Sequence, residues 1–296
     1  MNFKEEQLKR IEEIESILKK KLPKQEGMQK VIMEAMEYNL LAGGKRLRPM
    51  LMLETYRMFG GTGAEIEPFV AAQEMIHTYS LVHDDLPAMD NDDYRRGRKT
   101  THVVYGEDMA ILAGDALLNY AFETATTAFD CEGADPRRVG KALQILAKKA
   151  GIYGMIGGQV VDVASTGYAI TGETLDFIYK LKTGALIESS MMIGAILAGA
   201  DEEQILAVED IAAKVGMAFQ IQDDILDVTS TAEVLGKPIR SDEKNEKTTY
   251  VTWKGLDEAK KEVERLSNEA VEGLRQLHPA DSFLETLLLS LIHREK

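Results

Sequence analysis

The 296-residue chain is 45% hydrophobic and carries 49 acidic against 35 basic residues, a formal charge of −14. Such a length can bury a substantial core as one large domain, and the acidic excess opposes broad contact with a phosphate backbone, so no nucleic-acid partner is expected. The single cysteine, Cys131, excludes an internal disulfide and a cysteine-based zinc site and fits a reducing compartment; the opening MNFKEEQLKRIEEIESILKK is charged throughout, unlike an export signal, so a cytoplasmic location is expected.

Apolar residues recur at helical spacing from the start: Ile11, Ile14 and Leu18, then Val31, Met36 and Leu40, then Val70, Met75, Ile76 and Leu81. The pattern predicts helices over 4–20, 28–42, 49–59, 66–86, 108–129, 136–153, 173–199, 202–228, 256–276 and 281–293, and no run alternates as a strand. Pro49, Pro68 and Pro136 sit where a first turn tolerates a missing N–H, with Asp135 as an N-cap, while Pro23, Pro238 and Pro279 fall in breaks. The apolar stretch 185–200 contains Glu188, Ser189 and Ser190 and is shorter than the ~20 residues of a membrane span, so it reads as a buried core helix. Short breaks without a linker imply an all-α fold, a single domain over 1–296 built as a bundle of ten or more helices around a central cavity.

Asp84, Asp85, Asp90, Asp92 and Asp93 crowd into HDDLPAMDNDDYRRG, at the end of an apolar helix that Pro87 must interrupt. Adjacent carboxylates repel unless cations neutralise them, and oxygen ligands suit a hard ion such as magnesium; a solvated acidic loop is the competing reading of this cluster by itself. In QIQDDILDV, Asp223, Asp224 and Asp227 lie inside an apolar helix, where the spacing of four puts residues 223 and 227 on one face, about 6 Å apart. Acids set among Ile221, Ile225, Leu226 and Val228 are costly to bury unpaired, so cation binding explains them better than a surface face does. Two such clusters meet only across a bundle interior, with a magnesium-bridged polyanion between them.

Matching cations are Lys45, Arg46 and Arg48 in GGKRLRP, Arg95 and Arg96 after the first acid cluster, Lys182 in LKTGAL and Lys237 in LGKP. Singly they read as solvated charges; together they suit a diphosphate, with arginine forks bidentate and lysines as point charges. The segment around Gly43 and Gly44 is not a Walker A loop, because Asn39 stands at its first glycine position and Arg46 at its Ser/Thr position, so a nucleoside triphosphate is not the expected ligand.

The segments GGKRLRP, HTYSLVHDDLPAMDNDDYRRG, GGQVVDV, LKTGAL and QIQDDILDV follow the order found in trans-prenyl diphosphate synthases, and over about residues 28–250 the chain resembles the bacterial farnesyl diphosphate synthases of that family. The four residues between Asp85 and Asp90 resemble the bacterial and plant branch. The resemblance implies the isoprenoid synthase fold and a homodimer. It implies that Asp84, Asp90 and Asp223 ligate magnesium, three ions in all, with Asp85, Asp224 and Asp227 as further ligands or supports. Arg95, Lys182 and Lys237 would hold the allylic diphosphate; Lys45, Arg48, His77 and Arg96, with Arg46 a weaker candidate, would hold isopentenyl diphosphate; and Thr183 and Gln220 would face the allyl group.

The implied reaction is ionisation of dimethylallyl or geranyl diphosphate, attack by the isopentenyl double bond and loss of a proton to the departing diphosphate, ending at (E,E)-farnesyl diphosphate. The segment 229–245 is expected to close over the substrate and exclude water. Tyr79 and Ser80, about one turn before Asp84, would floor the prenyl pocket, and Tyr79 resembles the aromatic stop of C15 enzymes; its competing role is packing between helices. Geranyl or geranylgeranyl diphosphate synthesis is the nearest alternative. From other classes stand a non-catalytic accessory subunit, which would be expected to have damaged aspartate motifs; a terpene cyclase, which would not need GGKRLRP; and a His-Asp metal phosphohydrolase built on His83 and Asp84, which needs further histidine ligands where only His77 and His102 lie near.

Overall fold

The computed structural model describes residues 2–229, 248–277 and 283–292. The described helices are α1 (Phe3–Lys21), α2 (Lys30–Leu40), α3 (Leu47–Met58), α4 (Ile66–Asp84), α5 (Thr101–Tyr105), α6 (Glu107–Thr126), α7 (Pro136–Ala150), α8 (Met155–Ala164), α9 (Gly172–Ile178), α10 (Ala185–Ala198), α11 (Glu202–Thr229), α12 (Tyr250–Lys254), α13 (Leu256–Gln276) and α14 (Phe283–Ile292). Local chemistry explains several starts. Asn2 accepts from the Lys4 amide ahead of α1, and Asp135 accepts from the Arg137 amide with Pro136 in the first turn of α7, as its sequence predicts.

Helices α4 and α10 are apolar almost all round and lie in the middle, α4 against α6 and α10 between α3, α7 and α11. Phe69, Leu51, Met75, Leu117 and Ile193 are fully enclosed in the main core, and a second cluster, including Ile178, Ile221, Ile225 and Val263, joins α9 and α11 to α13. The continuous helical run Gly172–Ala198 is long and apolar enough to cross a membrane, but 78% of its most apolar window is buried inside the protein, which makes it a core helix. At Gly194 of α10 a Cβ would stand 2.4 Å from the Met52 carbonyl oxygen, so α3 and α10 meet backbone to backbone.

Besides the short helices α5 and α12, which no predicted helix covers, four features depart from the predicted elements. Helix α8 forms where no helix was expected, because two glycines and three valines in MIGGQVVDVA disfavour one by propensity, and packing decides instead. The predicted helix 173–199 contains a π-helical turn, Tyr179–Gly184, between α9 and α10. Helix α4 stops at Asp84, short of the predicted residue 86, since Leu86 precedes Pro87 and is pushed away from helical backbone. A two-residue hairpin pairs Tyr94–Arg95 with Arg98–Lys99 through Arg96 and Gly97, both at positive φ, a unit too short to show alternation. Lys237 and the segment 229–245, except Thr229, lie outside the described residues.

Replacing Gly194 by alanine is expected to lower stability by about 1–3 kcal/mol, because the added methyl meets backbone that cannot swing aside. Gly140→Ala in α7, where a Cβ meets nothing within 4 Å, is expected to raise stability by about 0.5–1 kcal/mol. Thermal melts of the two variants check both signs.

Candidate active site

Helix α4 delivers Asp84 at its C-terminal end, and the chain then folds back: the Asp90 amide donates to the Asp84 carbonyl at 2.9 Å, and the Met89 and Asn91 amides donate to the Leu86 carbonyl at 2.8 and 3.1 Å. Asp84 and Asp90 are thereby held together. Burial, opposed by Lys182 and reinforced by Asp90, pushes the Asp84 carboxyl up to about 6. Its Oδ1 accepts from Gln159 Nε2 at 2.7 Å. Asp85 points away into the protein, 4% exposed, and is gripped by Arg95 through Nε at 2.8 and 2.9 Å and through Nη2 at 2.6 Å. In this structure Arg95 is therefore first of all the counter-ion of Asp85.

Across the cleft, α11 presents Gln220, Asp223, Asp224 and Asp227 within two turns. Their environments differ. Asp224 accepts from the Tyr179 hydroxyl and, at 2.7 Å, from the Tyr250 amide at the start of α12, so its carboxylate ties α11 to the π turn and to α12. Asp227 is 4% exposed and its buried Oδ1 has no hydrogen-bond partner. The π turn brings Lys182 and Thr183 to the same cleft, Lys182 Nζ donating to Asp162 Oδ2 at 2.6 Å and the Thr183 hydroxyl donating to Gln220 Oε1 at 2.8 Å.

Three hollows adjoin here. A basic pocket of about 570 Å³ is lined by Lys45, Arg48, His77 and Arg96. A largely apolar cavity of about 870 Å³ runs between α4, α6 and α8, with Tyr79, Leu118, Met155 and Ile156 along its walls and Asp84, Lys182 and Thr183 also lining it. A smaller hollow of about 140 Å³ lies among Lys182, Thr183, Gln220 and Asp224. Arg48 and His77 line both of the first two, and Lys182 and Thr183 both of the last two. A basic site, an apolar channel and the acid clusters thus share walls.

In the basic pocket Arg48 Nη1 donates to His77 Nε2 at 3.4 Å, and the buried Arg48 Nε has no partner. Burial first, then Arg48, Arg96, Arg95 and Arg46, hold the His77 imidazole well below its ordinary range, in the neutral form. Arg96 reaches back to the Gly43 carbonyl, and a Cβ on Gly44 would fall 2.7 Å from its guanidinium, so this glycine leaves room for the arginine. Arg96 and Arg46 are two of three non-glycine residues at positive φ among those described, a strain concentrated at the basic site. Arg46 also lines this pocket, with its buried side chain held by Glu15 at 2.7 Å, Glu74 at 2.7 Å and the Leu40 carbonyl at 2.7 Å.

Tyr79 is 6% exposed and meets His83 edge-on with ring centres 5.8 Å apart. Its hydroxyl has no hydrogen-bond partner, and burial followed by Asp84 pushes it up to about 12. Ser80 also lines the apolar cavity, its hydroxyl donating to the His77 carbonyl at 2.9 Å. His83 packs over Gly114 and bonds the Ile111 carbonyl at 3.1 Å.

Among the described residues no three His, Cys, Asp or Glu side chains gather around one point where they could hold a metal ion. Magnesium is usually bound through one or two carboxylates, waters and substrate phosphates. The donor set fits such an ion: Asp84 and Asp90 stand together on one side, and on the other Asp227 buries an oxygen that nothing in the protein satisfies.

The family described as polyprenyl synthetase matches residues 29–281. The chain belongs to that family and is a prenyltransferase. It is 49% identical over 249 residues, 84% of this chain and 69% of the relative, to a chloroplastic geranylgeranyl pyrophosphate synthase of Catharanthus roseus. It is 45% identical over 268 residues, 90% of this chain and 89% of the relative, to a farnesyl diphosphate synthase of Geobacillus stearothermophilus. The geranyltransferase of Helicobacter pylori, solved with magnesium and isoprenyl diphosphate, superposes with a TM-score of 0.82 at 34% identity, covering 95% of this chain and 93% of that one. The chain therefore has the all-α architecture that its helical periodicity predicts and the isoprenoid synthase fold that the family resemblance implies.

Sequence reasoning attached no role to Gln159, Asp162, Tyr179 or Tyr250, each of which holds a predicted site residue. GGQVVDV was itself a signal for the first two; nothing in the sequence singled out the tyrosines.

Because His77 stays neutral in the folded chain but takes up a proton in the unfolded chain below about 6.5, stability is expected to fall as pH drops through that value. His77→Gln is expected to flatten this acid-side slope between pH 7 and pH 5, read from thermal midpoints; an equal slope in both proteins would show that the imidazole is already protonated when folded.

Proposed function

We propose that this prenyltransferase, acting as one domain over its whole length, condenses isopentenyl diphosphate head to tail with dimethylallyl and then geranyl diphosphate to give (E,E)-farnesyl diphosphate. The observation that carries the reading is the shared wall of the three hollows, where the basic pocket, the apolar channel and the acid clusters meet at Arg48, His77, Lys182 and Thr183. Magnesium, three ions in this reading, would be held by Asp84, Asp90, Asp223 and Asp227, and would neutralise the allylic diphosphate so that it leaves.

Lys182 and Arg95 orient that diphosphate at the mouth of the channel, its prenyl tail lying along Tyr79 and Leu118. Lys45, Arg48 and Arg96 hold the second diphosphate, with His77 Nε2 fixing the Arg48 fork. Thr183 and Gln220 present oxygens to the positive charge at the allylic carbon, and the apolar walls keep water away from it. Lys237 belongs to this reading as a further diphosphate contact. Asp85 and Asp224 support their neighbours through Arg95 and through Tyr179 and Tyr250.

A C15 product is favoured by Tyr79, whose ring lines the channel about one turn before Asp84. The named relatives make both C20 and C15 products. Exposed Val103, Val104, Ile111 and Leu112 on α5 and α6 support a homodimer, and the lone Cys131 is compatible with a cytoplasmic location.

Incubation with isopentenyl and dimethylallyl diphosphates is expected to give a C15 alcohol after dephosphorylation, only when magnesium is added, and Tyr79→Ala is expected to give C20 or longer. Mass spectrometry of the products reads both. No condensation would sink the reading, while an unchanged product from Tyr79→Ala would remove that residue as the stop.

A further inference from the structure

Helix α8 lies along the apolar channel and touches functional groups on both of its sides. Gln159 and Asp162 are three residues apart, hence on one face. Gln159 Nε2 donates to Asp84 Oδ1 at 2.7 Å, at the end of α4, and Asp162 Oδ2 accepts from Lys182 Nζ at 2.6 Å, on the π turn. Just before Gln159, Gly158 lets the helix rest directly on that turn: a Cβ there would stand 2.2 Å from the Lys182 backbone nitrogen and 2.8 Å from the Leu181 carbonyl carbon. At the last residue of the turn a Cβ on Gly216 would stand 2.8 Å from the Gly184 Cα, so α11 also approaches it closely. The π turn is held against two backbones, and the side chains it carries have little freedom to drift.

The chemistry of the two contacts is selective. An amide at residue 159 orients the Asp84 carboxylate through one oxygen without placing a positive charge beside it, which leaves the other oxygen for a cation. A lysine or arginine there would compete with the metal. A carboxylate at residue 162 anchors one of the three Lys182 N–H donors and leaves two for phosphate oxygens. We propose that Gln159 and Asp162 are positioning residues: one face of α8 sets the Asp84 carboxylate and the Lys182 ammonium at a fixed separation, so that ion and diphosphate are met together. This rests on the function proposed above.

Full-length Gln159→Leu keeps the side-chain bulk and removes the donor. Its affinity for Mn2+, measured without substrate by the electron paramagnetic resonance of the free ion, is expected to weaken about tenfold, the usual effect of deleting a group that orients a metal ligand. Asp162→Leu is expected to lower kcat about 10–100-fold without raising KM for the allylic diphosphate, and Asp162→Asn, which still accepts from Lys182, is expected to recover much of the loss. A merely structural role would instead lower thermal midpoints and scale kcat with the folded fraction, with Asn no better than Leu; that pattern, or unchanged Mn2+ affinity in Gln159→Leu, overturns the proposal. Should the wild-type chain condense no isoprenoid diphosphates, the proposed function falls, while the Mn2+ comparison still decides whether Gln159 positions Asp84.

Discussion

Negative charge has to be brought against negative charge in a cleft with apolar walls, and most of the site follows from how that conflict is resolved. Carboxylates resist burial and repel both one another and a diphosphate. The protein treats its acids differently according to what each must do. Asp85 is neutralised by Arg95, and Asp224 is held by a hydroxyl and a backbone amide. Asp84 is oriented by a neutral amide, and Asp227 has a buried oxygen left unsatisfied. In the function proposed above, acids with committed partners stiffen the frame, and those without full compensation are left to a cation.

That division explains what could be read from the chain and what could not. Helices α1 to α4 and α6, α7, α11 and α13 follow from apolar spacing and from local signals such as Asp135 before Pro136, because their core faces are set by residues close in sequence. The two aspartate clusters were legible for a similar reason: five acids beside an apolar helix, and three inside one, repel too strongly to be kept there without cations. Helix α8 and the π turn were not legible. Their backbone register is decided by Gly158 and Gly216 closing on one turn, a contact between segments far apart in the chain.

Motifs were legible only down to a similar level. Spacing pairs Asp223 with Asp227 on one face and gives Asp224 no partner, whereas Tyr179 and Tyr250 make Asp224 an anchor. GGKRLRP offers three cations, with Arg46 the weaker candidate; Glu15 and Glu74, from α1 and α4, hold its guanidinium, while Arg48 lines both the basic and the apolar hollow. Product length is not legible from overall similarity either: relatives at 49% and 45% identity carry names that differ by one isoprene unit.

The most direct test of the charge conflict is calorimetric titration of the wild-type chain with a non-ionisable thiolo analogue of dimethylallyl diphosphate, in magnesium and again in EDTA. Binding that is tight with magnesium and at least tenfold weaker without it, a difference of about 1.4 kcal/mol or more, is the result expected if the acids hold the diphosphate only through a shared cation. Equal affinity in EDTA would contradict that, and would mean that Lys182, Arg95 and their neighbours suffice to hold the diphosphate.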